Sequence, residues 1–161
     1  MPPDDAIDPA YLERLKTLAP QMLDAVPHAR ALGLRITAVE LGKMWGIAPF
    51  REELAGDGQA GIIAGGVVTT LLDSLCGFAV HTRLAQSTGT ATLDLRIDYM
   101  RPAAPRRDVL AMAHCYKLTR SIAFVRALAF EEDPEDPVAH AAATFMLNLG
   151  RKAGQNLRAK P

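Results

Sequence analysis

A chain of 161 residues, 49% of them apolar, is long enough to form one domain with a sizeable hydrophobic core. Its 18 basic residues balance 18 acidic ones, which argues against nucleic acid or a membrane surface as a partner and favours small molecules or a second copy of the chain. Two cysteines are too few for a disulfide framework, and neither they nor the histidines have the spacing of metal ligands. We therefore expect reduced thiols in the core and no metal or other cofactor.

The beginning of the chain indicates where the protein resides. Residues 1–5 lack the basic and then apolar pattern of a signal peptide. No apolar run approaches the roughly 20 residues that a membrane-spanning helix needs. The sequence therefore predicts a cytoplasmic protein.

In chain order, the first predicted elements are a helical segment and a hairpin. A cap and a proline at Asp8-Pro9 open an apolar stripe that continues to Val26, and Pro20 is expected to divide it into two short helices. Alternating apolar residues then predict a hairpin over residues 31–50 with its turn at Gly42-Lys43. Residues 51–61 are predicted to form a glycine-rich loop, and a long central helix follows from about Gly66 to the region of Arg83.

Strands follow the long helix. The segment 92–100 alternates most regularly, with Leu93, Leu95, Ile97 and Tyr99 on one face and Thr92, Asp94, Arg96 and Asp98 on the other. Further strands are predicted over residues 109–118, 122–130 and 138–149. These elements predict an α+β fold with a mostly antiparallel sheet of five or six strands packed on the long helix. We divide the chain into an N-terminal extension (1–30), the main domain (31–149) and a flexible tail (150–161).

The central helix carries the most informative feature of the chain. Its apolar positions recur at helical spacing, and Asp73 lies among them with no basic residue nearby in sequence. The pair Gly65-Gly66 opens the helix and leaves its first N–H groups uncovered, where the helix dipole favours an anion or a polarised carbonyl. The same helix thus offers two groups: an N-terminal end that can stabilise a polarised carbonyl and, further along, a carboxylate that can act as a base.

With these residues in view, the chain resembles the PaaI-like branch of the hotdog-fold thioesterases from about Ala31 to Leu149. In that family a His-Gly-Gly sequence opens the central helix, and an aspartate follows eight residues after the first glycine. The next strand ends in an Arg/Ser-Pro-Ala turn. Gly65, Gly66, Asp73 and residues 101–103 fit this order and spacing.

The resemblance implies a hotdog fold and hydrolysis of acyl- or aryl-coenzyme A thioesters by a homodimer or a tetramer made of dimers. It implies that the Gly65 N–H polarises the thioester carbonyl, that Asp73 is the general base or the nucleophile, and that Thr92 helps to hold the water or the carboxylate. Gly66 and Gln59 would lie against the substrate. Arginines near strand ends could meet the phosphates of coenzyme A, with Arg101 and Arg120 as the principal candidates.

The spacing of Gly65 and Asp73 gives a separate argument for a dimer. Eight residues span roughly 12 Å along a helix axis, too far for both groups to act on one carbonyl. Two central helices related by a twofold axis can bring the start of one near the middle of the other. We therefore expect the two groups of one site to come from different subunits.

Two departures from the family pattern bear on activity. Ala64 stands where the family usually has histidine, and Gly58 stands near the position of a polar amide, with Gln59 adjacent. A hotdog hydratase or dehydratase normally pairs a histidine with an acid, so Ala64 argues against that alternative. A catalytically weak acyl-coenzyme A-binding protein remains the other alternative.

Each candidate also has a simpler interpretation. Asp73 could be a hydrogen-bonded buried acid, the glycines could serve close helix packing, and Thr92 could be an ordinary strand residue. For a single arginine, a solvated charge is the simpler interpretation. His81 is expected to be structural or solvent-facing.

Overall fold

The computed structural model describes residues 9–84 and 89–148 of the chain. The helices are α1 (Pro9–Met22), α2 (Pro27–Ala31) and α3 (Gly65–His81). The strands are β1 (Arg35–Glu40), β2 (Lys43–Ala48), β3 (Ala55–Asp57), β4 (Ile62–Ile63), β5 (Gly89–Tyr99), β6 (Val109–Leu118), β7 (Ile122–Phe130) and β8 (Ala139–Asn148).

Six strands form one antiparallel sheet in the order β1-β2-β6-β7-β8-β5. The long helix α3 packs across one face of this sheet, and β3 and β4 form a small separate pair. The predicted α+β plan is confirmed, including the hairpin, the long helix and the strands that follow it. In the described part of the chain, β5 and β1 are the edges of the sheet.

The core lies between α3 and the sheet. Leu71, Leu72 and Leu75 on α3 are fully buried, and each buried side chain of this kind contributes about 1.5–3 kcal/mol relative to exposure. Gly46 on β2 permits a close approach, because a Cβ there would lie 2.8 Å from the Arg35 carbonyl and 2.9 Å from Leu75. The C-terminal end of α3 is held by Thr82, whose buried hydroxyl accepts the Gly42 N–H at 2.7 Å.

Two local predictions were wrong. Helix α1 continues through Pro20 to Met22, so the missing proline N–H costs the helix one backbone hydrogen bond without ending it. The predicted loop 51–61 contains a 3₁₀ turn (Glu52–Leu54) and strand β3. The N–H of Ala64 donates to the Leu54 carbonyl at 2.8 Å, so this segment is tied to the beginning of α3.

A β-bulge interrupts the alternation of β5. Thr92 pairs with Phe145 and Asp94 with Thr144, which leaves Leu93 as the extra residue. Leu95 and Ile97 face the core as expected. N-terminal to the bulge, Thr92 is the residue whose side chain faces α3. The prediction that Thr92 shares a face with Asp94 was therefore wrong.

The predicted C-terminal tail (150–161) and the start of the chain (1–5) lie outside the described residues. Among the helices that are described, none combines the length and apolarity needed to cross a bilayer.

Candidate active site

The site begins at the N-terminus of α3. Ala64 is the extended N-cap residue, with φ −65° and ψ 138°, and its carbonyl accepts the N–H groups of Val67 and Val68. The N–H groups of Gly65 and Gly66 have no acceptor among the described residues, and both glycines are exposed. Uncovered donors at the positive end of a helix are suited to a carbonyl oxygen that gains negative charge.

Asp73 lies two turns further along α3 and is half-buried. The hydroxyl of Thr92 on β5 donates a hydrogen bond to Oδ1 of Asp73 at 3.0 Å. The bulge at Leu93 makes this contact possible, because it turns Thr92 toward the helix. A carboxylate held by one donor keeps its second oxygen for a water molecule or a substrate.

An open cleft of about 200 Å³ begins at this carboxylate and runs toward the C-terminal end of α3. One side is the helix, where Asp73, Gly77 and His81 follow one another at four-residue spacing. The other walls come from Thr90 and Thr92 on β5, Phe145 on β8 and Val26 before α2.

His81 lies at the far end of the cleft instead of facing solvent. Its Nε2 is 3.3 Å from the Thr90 hydroxyl, and burial lowers the pKa of the imidazole. This lowering of the pKa favours the neutral form of the ring at pH 7. The sequence pattern did not predict that His81, Thr90 and Val26 line this cleft, because the cleft joins segments that are far apart in the chain.

Tyr99 is a further residue that sequence reasoning placed only as an apolar position of β5. Its hydroxyl donates to the Gly65 carbonyl at 2.7 Å and lies 3.2 Å from the Thr69 hydroxyl. These contacts bind the end of β5 to the first turn of α3. They fix the peptide plane that contains the Gly65 carbonyl and the Gly66 N–H.

Arg101 has a structural role that the prediction of phosphate binding did not anticipate. Its guanidinium pairs with Glu131 at 2.6 Å and donates to the Asp136 carbonyl at 2.7 Å, while Nε lies 3.1 Å from Oδ2 of Asp136 in an ion pair too bent for a hydrogen bond. The Glu131 hydrogen bond raises the pKa of Arg101, although burial opposes this. The arginine of the Arg-Pro-Ala turn thus braces the loop between β7 and β8.

The other predicted substrate contacts lie apart from each other. Gln59 is exposed in a turn near the start of α3, where Asp57 accepts its backbone N–H at 2.8 Å. Arg120 is exposed in the β6–β7 turn, at the end of the sheet where β5 begins, with β8 between β7 and β5. Since Arg101 follows the end of β5, the two arginines are roughly 30 Å apart along an eleven-residue strand. The fold therefore does not bring them together within one subunit.

Solved structures of other proteins share this architecture. A Pseudomonas aeruginosa protein is 37% identical, with 82% of this chain and 98% of that chain covered and a TM-score of 0.75. A variant of the phenylacetic acid degradation protein PaaI from Thermus thermophilus is 28% identical, with 74% and 97% covered and a TM-score of 0.65. Fold and site together define the class: a hotdog-fold thioesterase.

The sequence relatives agree with that class. The thioesterase superfamily matches residues 60–138, which include Gly65, Asp73 and Thr92. The medium/long-chain acyl-CoA thioesterase YigI of Salmonella typhimurium is 26% identical over 150 residues, 84% of this chain and 94% of that protein. A provisionally named esterase of Halobacterium salinarum is 32% identical over 94 residues, and the match spans 56% of this chain and 61% of that relative's length. The chain belongs to the thioesterase superfamily, and the predicted resemblance is confirmed.

Proposed function

We propose that this protein hydrolyses acyl- or aryl-coenzyme A thioesters to the free acid and coenzyme A, as a member of the PaaI-like branch. The observation that carries the proposal is the Thr92–Asp73 hydrogen bond at the mouth of an open cleft, on the helix whose first N–H groups are uncovered. That arrangement combines a positioned carboxylate with an oxyanion-stabilising helix end.

In the proposed reaction, Asp73 acts as the general base. A water molecule attacks the thioester carbonyl carbon while the carboxylate takes its proton, and the carbonyl oxygen becomes an oxyanion held by the Gly65 N–H. The carbon–sulfur bond then breaks, and the coenzyme A thiolate leaves and takes up the proton. Thr92 keeps one carboxylate oxygen in place, so the other faces the water.

The two groups cannot serve one carbonyl from a single subunit, because they are separated by roughly 12 Å along α3. The edge strand β5 supplies a route to a dimer. It pairs only with β8 among the described strands, and Leu93 on β5 and Met100 directly after it are 53% and 62% exposed. A long unpaired edge favours association. Pairing with its twofold mate would give two sites, each with Asp73 from one subunit and Gly65 from the other.

The proposed substrate is supported by the site and by the relatives, of which one is named for acyl-CoA hydrolysis and another for phenylacetic acid degradation. We expect the thiol to be coenzyme A, with Gly66 and Gln59 near the substrate at the start of α3. Arg120 remains a candidate phosphate contact. The cytoplasmic location stays a prediction from the sequence.

The test is free-thiol release from a panel of alkyl- and aryl-coenzyme A thioesters, with the same acyl groups on acyl-carrier protein as a comparison. Turnover that disappears in Asp73→Asn supports the proposal. Absence of release with every thioester, together with measurable binding of acyl-coenzyme A, would favour the non-catalytic binding protein instead.

A single turnover in oxygen-18 water distinguishes a base from a nucleophile. If Asp73 activates water, the first acid released carries the heavy isotope. If Asp73 attacks the carbonyl, the thiolate leaves and a mixed anhydride forms; when water then attacks the Asp73 carboxyl carbon, the first acid carries unlabelled oxygen from Asp73 and the label enters Asp73, and this outcome identifies a nucleophile.

A further inference from the structure

Beyond Asp73 the cleft continues for about two turns of α3, roughly 12 Å along the helix axis. Its floor is open because position 77 is glycine. A Cβ at Gly77 would lie 3.5 Å from the Phe145 ring, an ordinary contact that would partly fill the passage. Phe145 and Phe78 supply apolar walls. This space adjoins the Asp73 carboxylate and can accept the acyl part of a thioester.

The far end of the cleft is polar and uncharged. His81 and Thr90 meet there, with Nε2 of the imidazole 3.3 Å from the hydroxyl oxygen. A threonine hydroxyl has one donor and two acceptor positions, so this single contact leaves hydrogen-bonding capacity directed at the cleft. Among the described residues that line the cleft, Asp73 is the one carboxylate, and no lysine or arginine is present.

Resting on the proposed thioesterase function, we propose that the cleft selects acyl groups that carry a neutral hydrogen-bonding group, such as a hydroxyl, at their far end, with His81 and Thr90 as the specificity-determining pair. A plain alkyl end would leave this polar pair without an additional partner. An acyl chain that ends in a carboxylate would bring a second negative charge into a cleft whose described lining offers no cation.

Val26 gives the N-terminal extension a part in this selection. It lines the cleft from the segment between α1 and α2, and the Tyr11 hydroxyl on α1 donates to the His81 carbonyl at 3.4 Å. The extension therefore closes one side of the cleft and supports the backbone of the residue at its end.

The experiment uses octanoyl-, ω-hydroxyoctanoyl- and suberyl-coenzyme A, which differ only at the far end of the chain. Dissociation constants are measured by calorimetry on Asp73→Asn, which holds the thioester intact, and kcat/KM is measured on the parent protein. We expect the hydroxylated chain to bind roughly three- to tenfold more tightly than octanoyl, which corresponds to one hydrogen bond, and the carboxylated chain to bind most weakly.

Two variants isolate the pair. Thr90→Val is nearly isosteric and removes the hydroxyl, while His81→Phe removes the imidazole. Either should bring the ratio between the hydroxylated and plain chains close to one. Gly77→Ala is the matched control: it should weaken binding of all three chains with little change in the ratio.

A ratio near one in the parent background, or a ratio unchanged in both Thr90→Val and His81→Phe, overturns the inference. Unaltered binding of every chain to Gly77→Ala shows that the acyl group does not run along this cleft and overturns it too. The proposed function is tested separately. If the binding preference is preserved but no thioester is turned over, only the proposed hydrolysis is rejected.

Discussion

The hydroxyl of Thr92 and the carboxylate of Asp73 form the contact on which the proposed reaction depends. We expect Asp73→Asn to lower kcat by about 100-fold or more with the fold intact, because an amide cannot take the proton. Thr92→Val should cost less, about tenfold, because it removes one positioning hydrogen bond. Thr92→Ser keeps the hydroxyl and serves as the control. Steady-state kinetics beside circular dichroism measure both effects, and parent-like turnover in Asp73→Asn would remove this residue from the mechanism.

Ala64 is the second residue at which activity can be tested. It is half-buried at the N-cap of α3, and its Cα lies only 3.3 Å from where a Cβ at Gly56 would be. We therefore expect Ala64→His to lower kcat/KM, since an imidazole would crowd the start of the helix and displace the Gly65 N–H. A rise in kcat/KM would mean that the site keeps room for the family's histidine.

At the scale of elements, Glu131 joins the end of β7 to the loop between β5 and β6. Its carboxylate accepts from Arg101 and, at 2.7 Å, from the Ala104 N–H. Although burial raises the pKa of Glu131, these hydrogen bonds outweigh it and hold the pKa below its ordinary value of 4.5. The stabilisation is therefore complete above pH 4.5 and is lost as the pH falls through the lowered value in the folded protein.

Glu131→Gln should lower the Tm at pH 7, and the difference from the parent protein should shrink as the pH is lowered below 4.5. Thermal unfolding over a pH series measures this. Glu132→Gln is the matched control, because its ion pair with Arg107 is exposed and contributes little. Equal effects of the two substitutions would contradict the bracing role of Glu131.

At the scale of the whole molecule, the proposed site is shared between two subunits, and complementation tests this directly. Gly65→Pro removes the N–H at the first helical position, where proline is tolerated and the extended Ala64 before it is compatible. Asp73→Asn removes the base. Each variant alone should be inactive. A mixture exchanged between them should regain about a quarter of the parent activity, since half of the dimers contain one intact site.

The complementation test requires a dimer. The oligomeric state is therefore measured alongside it by light scattering at micromolar concentration. A stable monomer would end the shared-site proposal. A dimer whose mixed variants stay inactive would contradict a site that takes Gly65 from one subunit and Asp73 from the other. Leu93→Lys, which puts a charge on the exposed edge of β5, should shift the parent protein toward monomer.

The sequence by itself determined the elements and their order, because hydrophobic periodicity is a local property. The strands over residues 109–118 and 122–130 have the bounds that alternation predicted, and α3 begins one residue before its predicted start. Gly65, Asp73 and Thr92 were identifiable as candidate site residues because their order and spacing along the chain follow a family pattern. The sequence did not predict that α1 continues past Pro20 to Met22, because local rules do not say how far a helix extends beyond a proline.

Only the tertiary structure decided how these residues meet. One extra residue at Leu93 reverses the side that Thr92 faces, and alternation alone had put Thr92 with Asp94. The pairing of Arg101 with Glu131, and the cleft between Asp73 and His81, join residues from distant parts of the chain. Such contacts depend on strand register and on how the helix crosses the sheet. No local pattern in the sequence encodes either of them, because both arise from the packing of whole elements against one another.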